Sequence, residues 1–385
     1  MKTVLITGGS GFIGSYIVKK LYEENKFNIV VLDNFSEQIH GNDYKKSYLY
    51  NQIKGKCKII KGDVRNGADV EKALENVNYI IHLASETGTG QSMYEINRYT
   101  DVNIMGTSNL IHTIINKGLK IEKFILSSSR SVYGEGLYYC SKHGYVNPKS
   151  RLLKDMILGD YNVKCPICGE NAKLEKTPES CELNTVSYYA YTKMAQEKML
   201  ETMCHAIEMP FTIFRYQNVY GVGQSLNNPY TGILSIFSKL LLQEKEINIF
   251  EDGYESRDFI HVSDVASITC NALENKNTDY KYINVGYGES ISVIEVAKIL
   301  KKLYDSNSNI NISGDFRKGD IRHNVADMSV AQELCNFKPK YDFKTGMDEF
   351  VRWVISQNIN SGLIIDDKFG NSIKEMENTG VLIKR

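Results

Sequence analysis

The first half of the chain alternates short apolar runs with longer amphipathic stretches. Five runs are almost wholly apolar or β-branched, a pattern typical of strands buried on both faces of a parallel sheet; they span residues 2–7, 28–33, 58–61, 79–83 and 124–127. Between them, stretches such as 13–24 and 102–117 repeat apolar positions every three or four residues, as amphipathic helices do. Because strands that alternate with helices need crossover connections, the sequence predicts an α/β fold with a doubly wound parallel sheet.

This alternation stops at residues 135–184, which are rich in Gly, Pro and Lys and hold four of the eight cysteines. We interpret this segment as an insertion outside the sheet. Alternation resumes near Ser187, and residues 224–385 mix helices such as 291–304 with short strands. The sequence therefore predicts a main domain over residues 1–223 that carries the insertion. A smaller substrate lobe follows over 224–385, part of which returns to the sheet.

Composition excludes several classes of protein. The 46 Lys and Arg residues balance 46 Asp and Glu residues, so we expect neither the basic face of a nucleic-acid-binding protein nor that of a membrane-surface protein. No apolar run is long enough to span a bilayer, and the first residues form a strand pattern without a secretory signal. We therefore expect a cytoplasmic protein whose cysteines are thiols or metal ligands and not disulfides.

A glycine-rich turn follows the first predicted strand. Residues 7–14 are TGGSGFIG, with Gly8, Gly11 and Gly14 three residues apart. Glycine lets the backbone approach a pyrophosphate closely, and the N-terminus of the next helix stabilises that anion. Asp33 ends the second predicted strand, where a carboxylate binds the 2′-hydroxyl of an adenosine ribose and repels a 2′-phosphate. The main domain is therefore predicted to be a Rossmann domain that binds NAD in preference to NADP.

Other turns and strand ends supply further candidate contacts to NAD. Asp63 follows the third predicted strand and can accept from the adenine amino group, while small residues after the fourth strand leave room for the cofactor. The predicted cofactor contacts in these turns are Phe12, Ile13, Asn34, Asp63, Val64, Leu83 and Ala84.

A serine-rich strand end and a Tyr-x-x-x-Lys pair form a candidate catalytic site. Residues 127–134 are SSSRSVYG, and Tyr189 and Lys193 open the helix after the insertion. Side chains at i and i+4 project from one face of a helix. A neighbouring ammonium stabilises a phenolate, so we expect Lys193 to lower the pKa of Tyr189. Such a tyrosine can act as general acid or base near neutral pH, while a serine hydroxyl bonds the same substrate oxygen.

These motifs together resemble the extended short-chain dehydrogenase/reductase family, in particular its NAD-dependent nucleotide-sugar epimerases and dehydratases. The resemblance covers nearly the whole chain apart from the insertion and the C-terminal end. It implies that Ser129, Tyr189 and Lys193 are catalytic, that Tyr189 and Lys193 also contact the cofactor, and that Asn103 lines the nicotinamide side. It also implies a homodimer.

Later motifs extend this resemblance into the second lobe. RYQNVYG at residues 215–221 and SRDFIHV at 256–262 resemble segments that carry an asparagine and an arginine to the sugar diphosphate. RKGD at 317–320 resembles a motif whose arginine reaches the diphosphate and whose aspartate reaches the nucleoside. Guanidinium groups suit phosphate because they donate bidentately. The implied substrate contacts are Thr87, Ser129, Arg130, Asn218, Arg257, Arg317 and Asp320.

The two residues after the catalytic serine separate the reactions of this family. Sugar 4,6-dehydratases carry Asp-Glu there to eliminate water, whereas this sequence has Arg130 and Ser131. The sequence therefore predicts an epimerase. Stretches 86–94, 218–226 and 228–237 resemble the family's epimerases that convert dTDP-L-rhamnose to dTDP-6-deoxy-L-talose. That resemblance implies oxidation at C4 by tightly bound NAD, followed by reduction of the 4-keto sugar on its other face.

Two alternatives stay open. One is a lyase of the same fold, either a 4,6-dehydratase or a decarboxylase. The other is a non-catalytic, dinucleotide-sensing binding protein, against which the intact Ser129, Tyr189 and Lys193 argue. The sugar and the nucleobase do not follow from residue chemistry.

The insertion carries two short metal-ligand motifs. Cys140-x-x-His143 and Cys165-x-x-Cys168 are each followed by glycine, and paired motifs of this spacing supply four ligands to a tetrahedral structural zinc, as in a zinc ribbon. Cys181 could replace His143 in such a site. The alternative is three buried thiols and a surface histidine without a metal.

Overall fold

In a computed structural model of the chain, which describes residues 1–226, 228, 230, 232–361 and 368–385, a parallel sheet of seven strands forms the centre. Numbered along the chain, its strands are β1 Lys2–Thr7, β2 Phe27–Asp33, β3 Lys58–Lys61, β4 Tyr79–His82, β5 Lys123–Ser129, β6 Phe211–Tyr216 and β7 Lys281–Val285. Their spatial order is β7-β6-β5-β4-β1-β2-β3, with parallel pairing throughout. The predicted Rossmann-type fold is confirmed, and β1 to β5 match the predicted strands closely.

Both faces of the sheet are buried, because successive side chains of a strand point to opposite sides. Val4 and Ile6 of β1 pack into one apolar cluster, and Leu5 between them packs into the other. Helices Phe12–Glu24 and Val262–Ala272 cover the first face. The helices that cover the second face are Gly67–Ala73, Gly106–Asn116 and Tyr188–Ala206.

Several short helices connect these layers. Thr100–Met105 forms a π-helical segment at the start of the predicted helix 102–117, a departure from α geometry that occurs often at functional sites. Further short helical elements, from both halves of the chain, are Glu37–His40, Tyr44–Lys46, Tyr48–Ile53, Thr89–Ser92, Ile96–Tyr99, Arg130–Tyr133, Lys276–Thr278 and Ser329–Cys335.

The second lobe has its own apolar core beside the sheet. Its helices are Ile233–Leu242, Val293–Leu303 and Phe343–Ser361, followed by Lys368–Asn378. Its short strands form three small sheets in the described residues. One sheet has three strands, Asn218–Tyr220, Ser256–His261 and Ser290–Ser292. The other two have two strands each, Ile247–Ile249 with Ile310–Ile312 and Phe316–Arg317 with Leu382–Ile383. Part of the second half of the chain returns to the main sheet as β7. None of the described helices combines the length and apolar character needed to cross a membrane.

Residues 135–184 lie outside the central sheet. Strands Tyr138–Cys140, Gly144–Val146 and Lys173–Leu174 form a small antiparallel sheet, and one short helix, Leu153–Ile157, follows the second strand. The segment starts and ends at neighbouring points, since the Asn184 amide donates to the Val132 carbonyl at 2.9 Å.

Candidate active site

A cavity of about 580 Å³ runs along the carboxyl ends of the central strands and reaches the second lobe. Ligands of open α/β sheets bind at this edge, where the strands end and loops diverge. Of the cofactor and substrate contacts predicted from the sequence, all except Asn103 line this cavity. The structure therefore brings the glycine turn, the serine strand end, the Tyr/Lys pair and the arginine motifs to one cleft.

The glycine turn is packed so closely that side chains would not fit. Gly8 has a φ of +68°, and a Cβ there would lie 2.7 Å from the Ala84 amide nitrogen. A Cβ on Gly14 would lie 2.5 Å from the Gly8 carbonyl oxygen. The turn therefore leaves the N-terminus of helix Phe12–Glu24 open to the cavity, where it can receive an anion.

Asp33 and Asp63 both lie at strand ends facing the cavity. The Asp33 carboxylate is oriented by the amides of Ser10 and Phe35, each at 2.9 Å, and each of its oxygens keeps a lone pair for a ligand. Asp63 accepts from Arg65 at 2.8 and 3.0 Å and from Asn34 at 3.1 Å. Both carboxylates are therefore oriented before any cofactor enters.

The candidate catalytic residues come from two adjacent elements. Ser129 ends β5, while Tyr189 and Lys193 lie in the first turns of helix Tyr188–Ala206. The Ser129 hydroxyl lies close enough to the Tyr189 phenol to lower its pKa. The Lys193 ammonium donates to the Ser127 carbonyl at 2.9 Å. A hydroxyl pair beside a lysine therefore faces the cofactor side of the cavity.

Burial and neighbouring polar groups set the electrostatics of this cluster. Burial raises the pKa of Tyr189, while the nearby Ser129 hydroxyl and the charge of Arg130 act in the opposite direction. Burial also lowers the pKa of Lys193 to about 7. Arg130 is therefore a second cation that acts on Tyr189, and the effect of Lys193 on the pKa of Tyr189 stays a prediction.

Arg130 is an unpaired cation in the cavity. Its guanidinium has no hydrogen-bond partner within the described residues, and burial followed by repulsion from Arg257 lowers its pKa to about 10, although Asp320 attracts it. Its repulsion from Arg257 favours a ligand that presents anionic oxygens to both guanidinium groups.

The remaining predicted substrate contacts lie in the second lobe. Arg257 donates to the carbonyls of Ser256, Ile321 and Arg322 at 2.9, 3.0 and 3.1 Å, which fixes its orientation. The sequence predicts that Arg317 binds the diphosphate and that Asp320 binds the nucleoside. In the structure these two side chains form an ion pair at 2.7 and 2.8 Å. Asn218 has a buried Oδ1 without a partner in the described structure.

Asn103 is the exception among the predicted contacts. It is fully buried in the π-helical segment; its Oδ1 accepts from the Glu86 amide at 2.7 Å, and its Nδ2 donates to the Glu86 carbonyl and the Thr192 hydroxyl at 3.1 and 2.9 Å. Asn103 does not line the cavity itself, and its expected place on the nicotinamide side stays a prediction. It shapes the loop that carries Thr87 to the cavity.

Several cavity residues carry no motif in the sequence. They come from the short helix after β2, from the second lobe and from the C-terminal helix: Gln38, His40, Phe250, Ile373 and Met376. Only tertiary packing brings them to the cleft. Within the stretch 228–237, Tyr230 and Phe237 line the cavity, while Pro229 and Thr231 lie outside the described residues.

The insertion brings the two Cys/His motifs together. The Cys140 and Cys168 sulfurs are 3.7 Å apart, and the His143 Nδ1 lies 3.6 Å from the sulfurs of both Cys140 and Cys165. All four ligand atoms lie within 4.8 Å of one another. Cys181 is elsewhere and donates to Asn147 at 3.2 Å, so it does not replace His143. Cys140 and Cys165 are buried whereas Cys168 is exposed, so the alternative of three buried thiols holds for two of the three, and metal binding stays a prediction.

Comparisons with known proteins agree with this geometry. The profile of the NAD dependent epimerase/dehydratase family matches residues 4–150 and 165–286. A dTDP-L-rhamnose 4-epimerase from Burkholderia thailandensis is 34% identical over 358 residues, covering 92% of this chain and 96% of that protein.

Solved structures of epimerases superpose over the same share of the chain. A UDP-glucose 4-epimerase from Thermotoga maritima, with UDP-glucose, gives a TM-score of 0.74 at 27% identity over 92% of this chain and 99% of that one. A UDP-glucuronic acid 4-epimerase from Bacillus cereus, in complex with UDP-glucuronic acid and NAD, gives 0.74 at 26% identity with the same coverages. The chain therefore belongs to the NAD dependent epimerase/dehydratase family and is an enzyme of its epimerase type.

Proposed function

We propose that the enzyme holds NAD in the cleft between turnovers and inverts C4 of a nucleotide-activated sugar. The observation that carries this proposal is the contact between Ser129 and Tyr189 at the strand edge beside the glycine turn. The residues after Ser129 are Arg130 and Ser131, which supply no carboxyl acid for eliminating water. The Bacillus cereus relative, solved with both NAD and a nucleotide sugar, supports the same use of the cleft.

The residues divide the chemistry among them. Bound NAD supplies a reversible hydride acceptor, and Asp33 favours it over NADP by repelling a 2′-phosphate. Tyr189 takes the proton of the sugar 4-hydroxyl as that carbon is oxidised and returns it after the 4-keto sugar has turned over in the cleft. Ser129 donates to the developing carbonyl oxygen. Lys193, fixed on the Ser127 carbonyl, binds the nicotinamide ribose.

We propose that the substrate is a dTDP-linked 6-deoxyhexose, dTDP-L-rhamnose or its C4 epimer. Support comes from the Burkholderia thailandensis relative, a dTDP-L-rhamnose 4-epimerase. The diphosphate lies between Arg130 and Arg257, because both guanidinium groups face the cavity and repel each other when no anion separates them. Asn218, with its unpaired Oδ1, accepts from a sugar hydroxyl.

The test is to incubate the protein with dTDP-L-rhamnose, UDP-glucose and UDP-glucuronate and to read the C4 configuration of each product by NMR. We expect inversion at C4 of dTDP-L-rhamnose without added NAD. A 4-keto-6-deoxy product would instead identify a dehydratase, and loss of a carboxyl group would identify a decarboxylase. Bound NAD without turnover of any sugar would indicate a dinucleotide-sensing protein.

We further propose that Cys140, His143, Cys165 and Cys168 bind one structural Zn²⁺. Neighbouring ligands of tetrahedral zinc are about 3.8 Å apart for two sulfurs and about 3.6 Å apart for a sulfur and a nitrogen, by the usual bond lengths. The observed separations of 3.7 and 3.6 Å match both values. Elemental analysis should find about one zinc per chain, since four protein ligands complete the coordination; metal-free protein with an ordered insertion would contradict the proposal.

We propose that the enzyme is a homodimer. Met105, Ile115 and Tyr191 expose apolar side chains on neighbouring helices of the main domain, and a two-fold axis would bury such a surface against its own copy. Sedimentation should give a dimer that Tyr191→Glu shifts towards the monomer. A wild-type monomer at micromolar concentration would contradict this.

A further inference from the structure

A buried network of charges joins the insertion to the second lobe. Arg151, in the insertion, donates to both carboxylate oxygens of Glu251 at 2.7 and 2.8 Å. Its Nε lies 3.2 Å from Glu135, at the start of the insertion, and the side chains of Arg151 and Glu135 are 3% and 1% exposed. Because buried charges need partners, these contacts tie the insertion firmly to Glu251, which lines the substrate cavity.

The same two insertion residues contact the backbone of residues 320–322. Arg151 donates to the Asp320 carbonyl at 3.0 Å, and Glu135 accepts from the Arg322 amide at 2.9 Å. On the other side of this backbone, the Ile321 and Arg322 carbonyls accept from Arg257. Arg151 and Glu135 therefore lie directly behind the segment that orients Arg257 and Asp320 in the cavity.

The Cys/His cluster controls where Arg151 can lie. Arg151 belongs to the 21 residues, 144–164, that separate the two ligand pairs. A metal bound by both pairs closes this span into a loop. One apolar cluster of the insertion has five buried members, and Met156 and Tyr161 of the loop pack against Phe316. These small clusters oppose only part of the entropy of ordering the loop, and a bound metal supplies the remainder. The family profile does not match residues 151–164.

We infer that the metal-closed insertion is a positioning device for substrate recognition. Arg151 and Glu135 are positioning residues: they fix the backbone of residues 320–322, and through it the orientation of Arg257 and Asp320 towards the nucleoside diphosphate. The metal acts one step further away, by holding the loop that carries Arg151. This inference rests on the proposed diphosphate substrate and the proposed zinc.

The first test uses Arg151→Lys, which keeps the charge but loses the bidentate geometry. We expect KM for the sugar nucleotide to rise about tenfold, as for the loss of a charge-assisted hydrogen bond, while kcat and NAD content stay near wild type. Arg352→Lys, on the exposed side of helix Phe343–Ser361, is the matched control. An unchanged KM in folded, NAD-loaded Arg151→Lys protein would overturn the inference.

The second test removes the metal. The affinity for dTDP is measured by calorimetric titration. Chelation should weaken dTDP binding to the wild type by about the same factor as Arg151→Lys does. It should hardly weaken binding to Arg151→Lys further, because the effects of groups that act as one unit are not additive. Added Zn²⁺ should restore wild-type affinity. Zinc removal that leaves dTDP affinity unchanged would overturn the inference even if zinc itself is present. If no sugar is turned over but the dTDP affinity still changes in these ways, the proposed reaction is wrong and the positioning role of the insertion stands.

Discussion

The two sides of the cleft are built in different ways. On the sheet side, the glycine turn, Ser129 and Tyr189 lie on strands and helices packed into two continuous apolar clusters. On the insertion side, a small apolar cluster is supplemented by a buried charge network and a Cys/His cluster. The proposed catalytic groups therefore depend on apolar packing, whereas the groups proposed to recognise the substrate depend on separable polar contacts. Damage to the first side should lower kcat, and damage to the second should raise KM.

The largest effect should come from Tyr189→Phe. Without its proton carrier the enzyme should lose ~10²–10⁴-fold in kcat, the usual contribution of a general acid or base, with little change in KM. Single-turnover kinetics with NAD-loaded protein measure this loss. Tyr191→Phe, on the exposed side of the same helix, should keep wild-type turnover. Near-normal kcat in Tyr189→Phe would place the chemistry elsewhere.

Arg257→Ala should raise KM and leave kcat nearly unchanged, the opposite of Tyr189→Phe. In the proposed complex its guanidinium binds the diphosphate in both ground and transition states, so KM should rise roughly 10–100-fold, as for one or two lost charged hydrogen bonds, with kcat much less affected. Steady-state kinetics separate the two constants. A selective fall in kcat would contradict the division between the two sides.

Cys140→Ser should loosen the insertion without disturbing the sheet. We expect zinc content to fall from about one per chain to none, because three ligands hold the ion poorly. Limited proteolysis should then cut faster within residues 135–184, while NAD stays bound. Cys181→Ser, in the same segment but outside the cluster, is the control. Loss of NAD together with zinc would show that the two sides are not separable.

The smallest effect should be a shift in pH dependence. The positive charge of Arg130 lowers the pKa of Tyr189, so Arg130→Gln should raise that pKa, and phenolate will form only at higher pH. The acid limb of the kcat/KM–pH profile, which reports the free enzyme, should therefore move to higher pH by up to about one unit, the scale of a single neighbouring charge. Arg130→Lys keeps the charge and should move it less. A shift towards acid pH would contradict the assignment.

The sequence predicted the sheet side of the cleft more fully than the other side. The glycine turn, the strand ends and the Tyr189–Lys193 pair are local patterns with fixed spacing, and so are the Cys and His motifs. The protein contacts of Asn103 could not be predicted, because its partners, Glu86 and Thr192, are distant in the sequence. The effect of Arg130 on Tyr189 was not predicted for the same reason. Packing within the main domain decides these contacts, and no local pattern encodes them.

The charge network behind Arg257 was also invisible in the sequence. No sequence pattern links the three charged residues of this network, Glu135, Arg151 and Glu251. Taken alone, each is typical of a solvent-exposed charge. The fold buries them because the insertion returns to the second lobe.

The short distance between the two ends of the insertion has a consequence for evolution and engineering. Because the Asn184 amide meets the Val132 carbonyl, residues 135–183 can in principle be exchanged for another cassette, or for a tight turn, without altering the path of β5 or of helix Tyr188–Ala206. Nucleotide preference would then diversify by cassette replacement while the redox scaffold is inherited intact. A chimaera that receives the corresponding segment of a relative should inherit the donor's preference among nucleotides.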